Sequence, residues 1–341
     1  MVKGEYVMAT IKDIADKLGI AVSTVSKGLN GATDISDSTR QLVLDTAVEL
    51  GYSAKKIRMT HRKKLCIFVK NMNYESTDNF GYEIITGFQI SASQRNWEVA
   101  IIPYDHSSTS SFKYDTFMLE HSYSGALLLG LTPDDPYMPQ VKATTFPTVL
   151  LDNFIPGSNT GYIGTDSYEG ICMAVDKLVN LGHKSIAMLN GDKGSMVTEE
   201  RCSAFKTAIK SHGLAINKQL IKYGDYTADC AAKHLPGLIE NGATAIVCGS
   251  DIIAMGVLNQ LSHMGLRVPE DISVTGYDDL PIAQYASPPL TTVHQDRMAL
   301  GKIAFSLLDN LIQGIPVSKI LLRPQLVVRE SIGPCITCHN K

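Results

Sequence analysis

Apolar residues near the start of the chain recur with helical spacing. Ile11, Ile14, Ala15 and Leu18 fall at i, i+3, i+4 and i+7, one face over two turns. Thr10 stands where an N-cap belongs, and Asp13 three residues later completes a capping box. Gly19 marks the turn that ends this helix. A second short helix starts near Val22, with Val25 and Leu29 facing inward and Ser23, Thr24, Ser26 and Lys27 at its other positions. Small hydroxyls and a cation suit phosphates and base edges in a major groove, so residues 10–30 read as a helix-turn-helix. An ordinary helical hairpin is the bland alternative; cap, period, turn and polar face together disfavour it. Ser36 caps a third helix, Leu42, Val43, Ala47 and Leu50 form its stripe, and Gly51 ends it. A unit of about 50 residues buries little core, so it needs a partner or a scaffold.

From Leu65 onward, strands that are apolar throughout alternate with amphipathic helices. Residues 65–69, 97–103, 125–130 and 148–152 form one series, with a helix near 80–95. After Asp166 the pattern repeats, with strands at 185–190, 245–250 and 272–277. Continuous apolar strands belong to parallel sheets covered on both faces. The body is therefore expected to be two Rossmann-like α/β lobes of parallel sheet behind a small all-α headpiece.

Charge sharpens this division. Residues 1–64 carry 11 Lys/Arg and 7 Asp/Glu, a net of +4, whereas the remainder carries 20 and 27, a net of −7. A basic head on an acidic body is the footprint of a modular DNA-binder. The densest stretch is 55–64, where Lys55, Lys56 and Arg58 are candidate phosphate contacts. No apolar run approaches membrane-spanning length, the N-terminus lacks an apolar signal core, and cytoplasm is the expected compartment.

Chemistry for an enzyme is not evident. No Gly-x-Gly-x-x-Gly follows a strand, and His294 has no suitably placed nucleophile. Seven scattered cysteines point to reduced thiols. Cys335, Cys338 and His339 spell a haem-attachment pattern by letter, but they sit in a tail expected to fray and lack a fourth metal ligand. No metal or cofactor is expected. Polar residues gather instead at strand ends, where ligands of such sheets bind: Asp152, Ser250 with Asp251, and Asp278. Asp251 is expected to cap the helix it opens.

Residues 10–52 resemble the headpiece of the LacI/GalR family of bacterial transcription regulators, with Val25-Ser26-Lys27 closed by Leu29-Asn30 near that family's Val-Ser-Arg-x-Leu-Asn. The resemblance continues to about Ile332. It implies a headpiece at 8–54, a basic hinge at 55–64 and a two-lobed effector-binding and dimerisation domain at 65–332. Lobe 1 would span about 65–163 with a returning segment at 296–324, lobe 2 about 164–294 with 325–332, leaving a tail at 333–341. It implies base reading by Val22, Ser23 and Lys27, phosphate contacts by Thr24, Ser26 and Asn30, and Thr10 in the DNA-facing set. Its effector cleft would hold Asp152, Arg201, Tyr226, Ser250, Asp278 and Gln295, with Phe80 and Tyr82 as lobe 1 walls.

The partners implied are a palindromic double-stranded operator, a second copy of the chain and a small-molecule effector; the resemblance also admits a phosphocarrier-type co-repressor, and no membrane. Charge balance suggests a neutral carbohydrate or polyol, because Asp152 and Asp278 against Arg201 leave the cleft set at −1. A purine or co-repressor-responsive regulator is the runner-up, ahead of a carbohydrate-acting enzyme with an appended DNA domain or a transport component. Three departures from the family stand out: Ala21 where Ser is usual, Ala54 where Pro is frequent, and His61, close to Met59, where a Leu wedge is common.

Overall fold

A computed structural model describes residues 9–52, 63–104 and 113–335. Three helices form the head: α1 (Ile11–Leu18), α2 (Val22–Asn30) and α3 (Asp37–Glu49). Gly19 and Gly31 end the first two with φ of 64° and 69°, a left-handed turn that favours glycine. Ile14, Ala15, Val25, Val43, Leu44 and Ala47 make the small core. Leu42 is not part of it, being 53% exposed, and Leu44 takes the place expected for it. Three consecutive apolar residues, Leu42-Val43-Leu44, leave the helical phase ambiguous; contact with α2 decides it, since Gly28 abuts Val43.

Lobe 1 begins with β1 (Lys64–Val69), α4 (Phe80–Ser93), β2 (Glu98–Pro103), α5 (Tyr114–Glu120), β3 (Gly125–Leu129), α6 (Met138–Ala143), β4 (Thr148–Leu151) and β5 (Thr160–Thr165). Lobe 2 follows with α7 (Ser167–Asn180), β6 (Ile186–Asn190), α8 (Met196–Ser211), β7 (Ile221–Tyr223), α9 (Cys230–Glu240), β8 (Ala245–Cys248), α10 (Asp251–His263), β9 (Ser273–Asp278), α11 (Pro281–Tyr285) and β10 (Thr291–His294). The chain then returns as α12 (Arg297–Ile312) and β11 (Lys319–Leu322) before β12 (Gln325–Val327).

The sheets run β11-β5-β4-β3-β1-β2 and β12-β10-β9-β8-β6-β7. The first is parallel throughout; in the second, β12 pairs antiparallel to β10 at the edge. Three connections therefore cross between lobes, near 166, 295–296 and 323–324. Strand β5 carries no apolar run in its sequence, Thr-Gly-Tyr-Ile-Gly-Thr, yet is buried along its length between β4 and β11. Glycines bring α4 and α12 into backbone contact: a Cβ at Gly301 would strike the Ile84 carbonyl, and one at Gly87 the Met298 carbonyl.

The head does find its scaffold. Asp45 of α3 accepts from the Thr116 hydroxyl (3.1 Å) and pairs with Lys113 (3.3 Å), and Arg40 faces Glu120 at 3.6 Å. The chain also stays packed beyond the expected start of its tail. The Gly333 N–H donates to Ser273 (3.0 Å) and the Cys335 N–H to the Leu181 carbonyl (2.9 Å), so the backbone through Cys335 belongs to lobe 2 instead of fraying. Cys66, Cys172, Cys202, Cys230 and Cys248 are free thiols; Cys338 and His339 lie outside the described residues.

Candidate nucleic-acid interface and effector cleft

Thr10 and Asp13 form the expected capping box. The Asp13 amide donates to the Thr10 hydroxyl (3.3 Å), and the Thr10 amide and hydroxyl donate to the Asp13 carboxylate (2.6 and 2.8 Å). These bonds hold the Asp13 carboxyl below its ordinary range, and they commit the Thr10 hydroxyl to the helix before any DNA contact. Ala21 occupies the N-cap of α2 without a side-chain bond. Val22, Ser23 and Lys27 are exposed along one edge of α2, with Thr24 and Ser26 half-buried beside them. Asn30 donates to the Ser26 carbonyl at 2.8 Å, and Lys27 pairs with Asp34. Lys55, Lys56, Arg58, Ala54, Met59 and His61 lie outside the described residues.

The cleft is built at the carboxyl ends of both sheets. Asp152 follows β4 at φ 53°, Tyr226 follows β7 at φ 62°, and Asp278 and Asp279 end β9 at φ 117° and 52°. Left-handed backbone at four non-glycine residues is strain held by surrounding structure, and such strain gathers at functional turns. Arg201, in the second turn of α8, is 3% exposed. Its guanidinium donates to the Gly249 carbonyl (2.5 Å) and stacks on the Tyr277 ring. Burial works against that charge, but Tyr277, Tyr226, Asp278 and Asp152 outweigh it and keep Arg201 protonated.

The two carboxylates face an opposite balance. Burial lifts Asp152 to about 7 against the pull of Arg201, with Asp278 adding to the rise. Burial lifts Asp278 to about 6, moderated by Arg201, by the Gln295 amide that donates to it (2.6 Å) and by Arg297. The Tyr226 ring covers Gly191, and its hydroxyl lies 2.7 Å from that of Thr198. Arg201, Asp152, Tyr226, Asp278 and Gln295 thus belong to one neighbourhood.

Other residues take different places. The Ser250 hydroxyl, not Asp251, caps α10 by accepting from the Ile253 amide (3.2 Å). Asp251 is wholly buried and accepts from the Thr292 hydroxyl (2.5 Å) and the Leu280 amide (2.7 Å), bracing the turn after β9. Those partners stand 41 and 29 residues away, beyond any local capping rule. Phe80 packs on the core of lobe 1; among the described contacts, neither it nor Tyr82 reaches the Arg201 cluster. Sequence reasoning missed Tyr277 and Arg297. Arg297 did leave a signal: a cation in the first turn of a helix opposes the helix dipole and implies another duty.

A three-helix DNA-reading head on a two-lobed, polar-lined clamp defines a DNA-binding transcription regulator whose body holds a ligand site. Residues 10–55 match the bacterial regulatory proteins of the lacI family, and residues 175–332 match the periplasmic binding protein-like domain. The HTH-type transcriptional repressor PurR of Vibrio vulnificus (strain CMCP6) is 30% identical over 331 residues, covering 95% of this chain and 99% of that protein. Among solved structures, the transcriptional regulator CelR in complex with cellobiose superposes with a TM-score of 0.72 at 27% identity, covering 95% of this chain and 99% of that one. The lac repressor dimer bound to operator and the anti-inducer ONPF gives 0.67 at 26% identity, with the same coverage. The chain belongs to the LacI family of bacterial transcription regulators.

Proposed function

We propose that this protein is a repressor that binds a palindromic operator as a homodimer and answers to a small neutral carbohydrate or polyol between its lobes. The observation that carries the effector reading is Arg201, buried on Tyr277 between Asp152 and Asp278. Arg201 donates, the carboxylates accept, and Asp152 close to neutrality does either, which matches hydroxyls that do both. Arg297 is a second buried cation near Asp278, absent from the charge balance drawn above. Its two terminal nitrogens are engaged by Glu83 and by backbone carbonyls, so they are not offered to an anionic ligand. The CelR structure, solved with cellobiose, supports the same class.

A purine stacked on Tyr226 is the second reading, favoured by the flat ring that covers Gly191. Dimerisation is supported by Tyr285, 80% exposed, with Ile282 and Ile252, an apolar group on lobe 2 suited to a second copy. The relatives are regulators, and we read this chain as one too, without enzymatic activity. A DNA partner supports a cytoplasmic reading; among the described residues no helix is long and apolar enough to cross a membrane.

Selecting duplexes from a randomised pool, then screening neutral sugars, sugar phosphates and purines by thermal shift, tests this. A palindromic selected site and a melting point raised by a neutral sugar are expected. A shift with anionic ligands alone overturns the carbohydrate reading.

A further inference from the structure

Arg297 opens α12, which packs on lobe 1 against α4, yet its guanidinium reaches lobe 2. One terminal nitrogen donates to the Asp278 carbonyl (2.5 Å) and lies 3.4 Å from the Asp279 carbonyl. The other pairs with Glu83 of α4 at 2.9 Å. Arg297 is 4% exposed, so its contacts with the turn carbonyls are made away from bulk water, while the Glu83 side chain remains 36% exposed.

The reason for an arginine lies in the turn. Two successive left-handed residues, Asp278 and Asp279, bring both carbonyls to one side, and that side needs a donor. The turn is braced from lobe 2 as well: Arg329 (2.7 Å) and His294 (3.0 Å) hold the Asp279 carboxylate, and Asp251 holds the Leu280 amide. Those braces belong to the lobe that carries the turn. The planar fork of Arg297 joins that turn to the opposite lobe, which a point-charge lysine cannot do with the same geometry. Beyond Glu83, the strut continues into the glycine-mediated contact of α4 with α12.

We propose that Arg297 is a positioning residue that ties the Asp278 turn of lobe 2 to α4 of lobe 1 through Glu83. Movement of one lobe against the other is then felt at the Asp278 carboxylate, and a ligand at Asp278 is felt at α4. The inference takes its regulatory meaning from the cleft reading above, but its test needs no effector.

The test is amide hydrogen exchange on the full-length, ligand-free protein, comparing wild type with Glu83→Gln, Arg297→Lys and Arg297→Met. Arg297→Met should speed exchange about tenfold in segments 277–283 and 80–86, with the rest of both lobes unchanged. Glu83→Gln is the decisive variant, because Glu83 lies on lobe 1 and its carboxylate cannot bond the turn's carbonyls. It should still speed exchange in 277–283, by about threefold. Arg297→Lys, which keeps the charge and loses the fork, should fall between the two and serves if Arg297→Met fails to fold. Unchanged exchange in 277–283 for Glu83→Gln overturns the proposal. A uniform rise across both lobes overturns it too, since that marks global instability.

Discussion

The guanidinium carbon of Arg201 sits 3.7 Å from the centre of the Tyr277 ring. Arg201 projects from a helix and Tyr277 from the adjoining sheet, so the ring supports the charged fork from beneath and leaves its edge for the cleft. Cation–π contact is strongest where water is excluded, and Tyr277 is fully buried. Tyr277→Phe keeps the ring face and should cost less than about 1 kcal/mol in urea denaturation. Tyr277→Leu removes that face and leaves a void under a buried cation; it should cost about 2–4 kcal/mol. Equal losses for the two variants would mean that the hydroxyl, not the face, supports Arg201.

The cleft carboxylates predict an unusual dependence on pH. Asp152 at about 7 and Asp278 at about 6 both lie above the unfolded carboxylate range. The folded protein therefore binds extra protons between about pH 4 and pH 7, and the stability these groups contribute is complete below that window and lost as pH rises through it. For Asp152 the loss is on the order of 3 kcal/mol between about pH 4 and pH 8. Asp152→Asn, which stays neutral, should be more stable than wild type at about pH 8, and the difference should vanish near pH 4. Denaturant titrations of both proteins across this range check it; a difference independent of pH would show that Asp152 is ionised throughout.

Much of this architecture is legible in the sequence, for reasons of locality. The capping box of Thr10 and Asp13, the Gly19 turn and the exposed edge of α2 are set within a few residues, as are the apolar strands that fill the centre of each sheet. What escaped is non-local. Asp251 looks like a cap beside its own helix, but its partners come from Leu280 and Thr292. Strand β5 is polar in sequence and becomes a strand because β4 and β11 flank it. Tyr277 and Arg297 gain meaning only when α8 and α4 are brought to the end of β9. Asp152, Arg201, Tyr226, Asp278 and Gln295 come together in one neighbourhood, whereas Ser250 caps its own helix and Phe80 turns to its own lobe because core burial outweighs the cleft for an apolar ring.

The exposed N-cap of α2 offers a gain. Ala21 has the extended backbone of a cap, φ −65° and ψ 144°, with no side-chain acceptor for the free amides of the first turn. Ala21→Ser supplies one and should stabilise the head by about 1 kcal/mol. Slower amide exchange in α1–α3, with unchanged exchange in lobe 2, is the expected observation. No change would mean that water already satisfies those amides.

One carboxylate carries two of the polar contacts between head and body, beside the Arg40–Glu120 pair. Asp45 serves both Lys113 and Thr116, so Asp45→Lys replaces an attraction with repulsion and removes the acceptor. Exchange in α3 and α5 should quicken together while lobe 2 is unaffected. Asp45→Asn keeps an acceptor for Thr116 and should give a smaller effect in the same two helices. If α3 alone responds, the docking face on α5 is not what holds the head.

Lys27 is the exposed cation of α2, and in the free protein it is paired with Asp34, whose carboxyl that hydrogen bond holds below its ordinary range. If Lys27 meets the operator, it exchanges this exposed partner for a base edge or a phosphate, and the two outcomes differ in what they change. A base-reading lysine contributes roughly 1–3 kcal/mol of discrimination. Lys27→Ala should therefore narrow the gap between the selected operator and scrambled duplex by that amount. Asp34→Asn releases Lys27 and removes a negative charge near the phosphates, so it should tighten binding to both duplexes and leave the gap intact. If Lys27→Ala instead weakens both duplexes equally and lowers the slope of log affinity against log salt by about 0.9, Lys27 touches a phosphate and another residue of α2 does the reading.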